Sequence, residues 1–122
     1  MVEIMGLYSE EILKLAIAVV VGGLIGTERE IQDKAAGFRT LILICVGVTL
    51  FTIFSLHIDP ANSPSRIAAN IVTGIGFLGA GAIMREGGCI AGLTTAALIW
   101  LVAALGMGIG AGEYMLGVLR QL

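Results

Sequence analysis

Charge is nearly absent from four long apolar stretches of this chain, and that limits what it can fold into more than any other feature. The stretches cover residues 12–26, 41–56, 67–84 and 94–111, with short polar segments between them. Each approaches the roughly 20 residues that a membrane-crossing helix needs. A single such segment also fits the core of a soluble protein. Four in succession leave little polar side chain to coat them, because the chain has only 122 residues, 57% hydrophobic and 13% charged. A soluble domain carries about 25% charged residues, and one this small exposes much of its surface. The predicted fold is therefore all-α: a polytopic integral membrane bundle of four transmembrane helices whose first partner is the lipid bilayer. The net charge of −2 and the lack of a basic run argue against nucleic acid.

The first stretch is not read as a cleaved leader. Its flank MVEIMGLYSEE is acidic where a signal peptide is basic, and no A-x-A site follows. Basic residues then set the orientation. Arg29, Lys34 and Arg39 lie in the first connection and Arg85 in the third, while Arg66 and Lys14 fall on the other side. This predicts cytoplasmic first and third connections and an external N-terminus, with Lys14 snorkelling outward. The first connection also reads as a short amphipathic surface helix over residues 28–36, with charge pairs at i,i+4. His57 reads as a solvated loop residue, and Cys45 and Cys89 as free thiols.

The stretch TGIGFLGAGAIMREGG contains Gly74, Gly76 and Gly79 in the G-x-G-x-x-G spacing of a dinucleotide turn. That turn needs a preceding strand, a following helix and an acid about 20 residues further on. Here the glycines lie within an apolar run, and the region where the acid should fall is TAALIWLVAA. No cofactor is expected. Small residues instead let membrane helices approach closely. Gly22 and Gly26 in the first helix and Gly106 and Gly110 in the fourth have the four-residue spacing that does this. In the third helix Thr73, Gly76 and Ala80 share one face and Gly74 and Gly81 a neighbouring one, with Gly79 on the same helix. A helix small on most sides is predicted to be central.

Ionisable groups cluster at the helix ends. Glu28, Arg29, Arg39, Thr40, Arg85, Glu86, Thr94 and Thr95 form a candidate cytoplasmic-side polar cluster, and Arg66 with Asn70 a candidate outer pair. Thr94 and Thr95 are expected chiefly to cap the fourth helix. There is no catalytic triad, carboxylate pair or metal-ligand spacing, so neither an enzyme nor a metal site is expected. A cation carrier usually has carboxylates or broken helices near the midplane, and the carboxylates are missing.

The segments GGLIGTERE, AAGFRTLIL, SPSRIAANIVTGIGFLGAGAIMREG and GLTTAALIWLVAALGMGIGAGEY together resemble the N-terminal membrane domain of the MgtC/SapB family. The resemblance implies a bacterial inner-membrane protein with a periplasmic N-terminus. It carries over Gly26, Glu28, Arg29, Gly37, Arg39, Thr40, Arg66, Gly74, Gly76, Gly79, Gly81, Arg85, Gly92, Thr95 and Trp100 as motif residues. It also implies a link to magnesium limitation and virulence, with the membrane sector of the ATP synthase as partner. Thr94 replaces an Asn of the virulence-associated branch, and Leu101 a Cys, so that branch's specific activity is not carried over. Family members add a fifth helix and often a cytoplasmic domain. YMLGVLRQL is too short to span, so a truncated fifth helix and no C-terminal domain are expected. Two functions follow as expectations: a regulator acting by contact with itself or another membrane protein, or an ion transporter or channel.

Overall fold

The computed structural model describes residues 2–31, 36–58, 60–86 and 89–112. Helix α1 spans Val2–Ile31, α2 Phe38–Ile58, α3 Arg66–Ala82 and α4 Leu93–Gly110. Between α3 and α4, strands β1 (Met84–Glu86) and β2 (Cys89–Ala91) pair antiparallel, Met84 opposite Ala91. Helix α2 stops two residues before Pro60, whose ring cannot continue a helix. Helix α3 ends where Ile83 takes extended backbone, and the chain turns directly into β1. Helix α4 begins after Gly92, held at φ 89°. A Cβ on Gly92 would lie 2.0 Å from the Ala82 carbonyl oxygen, so this turn accepts only glycine.

The core forms where α2 meets α1 on one side and α4 on the other. Ala18, Leu41, Cys45, Val48, Val102 and Ala103 are buried there, and α3 adds Ile71 and Ile75. The Thr49 hydroxyl donates to the Cys45 carbonyl at 2.8 Å and the Gly106 carbonyl at 3.1 Å, so α2 and α4 share a buried polar link. Ser55 donates to the Pro64 carbonyl at 2.6 Å and accepts from the Ala68 amide at 3.2 Å, fixing the entry of α3. The outside is as apolar as the inside. Leu24, Leu43, Phe51, Phe54, Phe77 and Trp100 all point outward. In water such a surface would aggregate, whereas in hydrocarbon it is solvated.

Two helices, α2 and α4, are long and apolar enough to cross a membrane. The apolar α3 has 17 residues, just under the usual span. In α1 the apolar run is bounded by Glu11 and Glu28 and interrupted by Lys14.

Several local expectations change. The first helix starts well before residue 12 and runs on to Ile31, so Glu28–Ile31 form its last turn and not a separate surface helix. The rest of the 28–36 segment, apart from Ala36, lies outside the described residues. The third helix stops at Ala82, and Met84 belongs to a strand. Continuous apolar character could not reveal this, because helix and hairpin are equally apolar there. His57 is in the last turn of α2, with Nδ1 3.5 Å from Glu11 Oε1, not in a loop. Nor is α3 central. It buries Ile71, Ile75 and Gly79 on one face and leaves Thr73, Gly74, Gly76, Ala80 and Gly81 exposed. Cys45 is a buried free thiol, and Cys89 has no described side chain. The proposed fifth helix falls outside the described residues.

Candidate functional site

Helices α1 and α4 run antiparallel, and a cation of α1 meets each end of α4. Lys14 Nζ donates to the Gly110 carbonyl at 3.0 Å, at the C-terminus of α4. Aligned peptide dipoles make that end partly negative, so the pairing is complementary. This explains why a lysine is placed within an apolar helix: its amine serves a helix end instead of reaching outward alone. Arg29, in the last turn of α1, reaches the opposite end of α4, and its Nη2 donates to the Thr95 hydroxyl.

The Arg29 contact has the opposite electrostatic character. Arg29 is only 7% exposed and Thr95 5%. Burying a guanidinium without a full set of partners costs several kcal/mol, and the N-terminus of a helix is the partly positive end. Thr95 Oγ1 is the one acceptor of Arg29 among the described residues, and Arg29 Nε is buried there without any. The cap position is Gly92, which has no side chain to satisfy the first amides of α4. The first backbone bond of the helix runs from the Ala96 amide to the Gly92 carbonyl at 2.9 Å.

Of the cytoplasmic-side candidates, Arg29 and Thr95 thus meet. Thr94 is exposed, and neither threonine makes a side-chain cap, contrary to expectation. The expectation failed because Gly92 takes the cap position before either threonine can. Glu28, Arg39 and Thr40 are exposed near the same end of the bundle. Arg85 and Glu86 have backbone in β1, but their side chains lie outside the described residues. At the other end Asn70 Nδ2 donates to the Arg66 carbonyl at 3.3 Å, and both residues are exposed. The chain holds no group of three potential metal ligands among the described residues.

The small residues fall into two sets. A Cβ on Gly22 would lie 2.8 Å from the Ile42 Cα, and one on Gly26 2.5 Å from the Phe38 Cα. Gly106 and Gly110 approach the Cys45 and Thr49 carbonyls at 2.9 and 2.7 Å on the same measure. Gly79 faces Ala96 at ordinary contact distance. Gly74, Gly76 and Gly81, like Gly6, Gly47 and Gly108 on the other helices, meet nothing within 4 Å among the described residues. A cavity of about 550 Å³ opens between α2 and α3, lined by Gly74 together with Leu43, Gly47, Phe51, Ile67 and Leu78, with Asn70 the polar residue in its lining. No sequence signal marks this groove, which lies where α3 packs more extensively on α4 than on α2.

An apolar exterior, helices of membrane length and side-chain charges gathered mainly toward the helix ends define a helical membrane protein. The chain belongs to the MgtC family, whose model matches residues 15–122. It is 48% identical over 118 residues to the Escherichia coli (strain K12) protein named "Putative magnesium transporter YhiD", covering 90% of this chain and 55% of that one. It is 51% identical over 98 residues to Protein MgtC of Brucella abortus (strain 2308), covering 80% of this chain and 41% of that one. Against Protein MgtC of Salmonella typhimurium (strain LT2) it is 48% identical over 103 residues, with coverage of 84% and 44%. The chain thus spans about half the length of the curated relatives it matches. No solved structure matches it.

Proposed function

We propose that this chain is a regulatory protein of the bacterial inner membrane that works by helix-helix contact. Its target is a second membrane protein or another copy of itself, and the resemblance named above makes the membrane sector of the ATP synthase the first candidate. The observation that carries the proposal is the outer face of α3. Gly74, in the lining of an apolar groove, and Gly76 and Gly81, elsewhere on the exposed side of the helix, leave its backbone uncovered among the described residues, and Phe77 stands 83% exposed on the same helix. Where helices already meet inside this chain, glycines mark the closest approaches. Gly74, Gly76 and Gly81 of α3 meet no neighbour among the described residues, and close backbone approach is what small residues give a membrane interface.

Four spans with a periplasmic N-terminus complete the reading. They place Arg29, Arg39 and the β1–β2 hairpin on the cytoplasmic side, in line with the distribution of basic residues. Magnesium and virulence enter as the setting implied by the family.

In-membrane crosslinking with mass spectrometry in the native host tests the proposal. Crosslinks should radiate from the α3 face, and Gly76→Leu should abolish them while the chain still inserts. Unchanged crosslinks in Gly76→Leu would count against the reading. Ion flux in proteoliposomes that is lost in Arg39→Ala would replace it with transport.

A further inference from the structure

We propose that Arg29 and the first turn of α4 form a binding site for a phosphate oxyanion. The inference is independent of the helix contacts above, since it rests on Arg29 and the start of α4 and not on the exposed glycines of α3.

Helix α1 presents two cations to α4. Lys14 meets the negative end of the helix at 3.0 Å and needs nothing more. Arg29 is brought to the positive end, where two like charges are held together in a buried place. Thr95 offers Arg29 a neutral hydroxyl, which does not balance either charge. Nε is shut off from solvent and unpaired among the described residues. That nitrogen, together with a neighbouring Nη, is the fork that grips carboxylate and phosphate oxygens in a bidentate way. The helix end adds a second unmet demand. Gly92 holds the cap position, and its steric confinement against the Ala82 carbonyl excludes any capping side chain. The start of α4 therefore lacks the side-chain oxygen that usually receives its amides.

An anion seated between the guanidinium and this turn would satisfy both demands at once. Helix N-termini bind phosphate through amides and dipole, and arginine supplies the matching planar donors. Phosphate fits better than chloride because it presents several oxygens to donors arriving from two helices. The oxyanion can come from an anionic lipid headgroup or from free phosphate, and the chemistry is shared.

The test uses the full chain in a maltoside detergent free of phosphate. Its melting temperature is followed during titration with inorganic phosphate in one arm and short-chain phosphatidylglycerol in the other. Chloride at equal ionic strength is the control. Saturable stabilisation by either probe is expected, with apparent affinity at least tenfold weaker in Arg29→Lys, which keeps charge but loses the fork. Lys14→Gln should leave that affinity unchanged. Response to phosphatidylglycerol alone assigns the oxyanion to lipid, and response to both assigns it to phosphate in general. If neither probe stabilises the wild-type chain beyond chloride, or Arg29→Lys responds like wild type, the site does not exist. The wild-type titration decides even where a variant fails to fold.

Discussion

Gly22, Gly26, Gly106 and Gly110 of α1 and α4 and Gly74, Gly76 and Gly81 of α3 share a residue type and an apolar setting, yet they sit in opposite environments. Gly26 and Gly110 are pressed against the backbone of α2 so closely that an added Cβ would fall 2.5 and 2.7 Å from its nearest neighbour. Gly74, Gly76 and Gly81 face open space. Without a hydrophobic drive between helices in lipid, close packing must do the work. The first set shows that glycine is used for this purpose here. The second set presents the same residue type with no such contact among the described residues. Glycine in a helix interior costs roughly 0.5–1 kcal/mol relative to alanine, so each one needs a compensating contact.

The largest effect that separates the sets is expected from Gly26→Leu. The new side chain meets backbone at Phe38, which cannot rotate away, so α1 must lift from α2. Overpacking of this kind costs about 1–3 kcal/mol, and more where backbone is the obstacle. Unfolding in mixed micelles should show the loss, and native stability in Gly26→Leu would break the comparison. Gly106→Ala should come next. Its Cβ would lie 2.9 Å from the Cys45 carbonyl and 3.1 Å from the Val48 Cβ. A cost of about 1–2 kcal/mol is expected, measured in the same way.

These two positions also show what the sequence could and could not reveal. The apolar stretches and the glycine spacing announced helices and close packing, because both are local properties of the chain. Which glycines pack inside the chain was hidden, since Gly108 and Gly112 have the same four-residue spacing as Gly106 and Gly110, yet Gly108 meets nothing within 4 Å among the described residues. The Arg29–Thr95 contact was legible only as membership of one cluster at one end of the bundle. Pairing across 66 positions depends on the antiparallel register of α1 and α4, which no local pattern encodes. Lys14 was the opposite case. A charge within an apolar helix was visible, and its use at the end of α4 required the fold.

A smaller effect is expected from Thr49→Val, which keeps the shape and removes the bond to the Gly106 carbonyl. Hydrogen bonds between membrane helices average about 0.6 kcal/mol, partly because the separated helices find other partners. The loss should therefore stay under about 1 kcal/mol. Combined with Gly106→Ala it should be less than additive, because both changes act on the same α2–α4 contact. Full additivity in the double variant would show that the hydroxyl and the close approach are separate devices.

The smallest expected effect has the opposite sign. Gly74→Ala adds a methyl group where nothing stands within 4 Å, on a helix whose backbone gains from the restriction. The isolated chain should become more stable by roughly 0.5 kcal/mol, near the lower end of the usual helical glycine-to-alanine gain. If α3 serves as an interface, the same methyl group must hold a partner helix away, so crosslinking in the membrane should fall while the monomer gains. Stability and assembly then move in opposite directions for one substitution. No simple loss of fold produces that combination. Should Gly74→Ala raise stability and leave assembly untouched, the glycine would have no partner to serve on this face, and the likeness between the two sets would end at residue type.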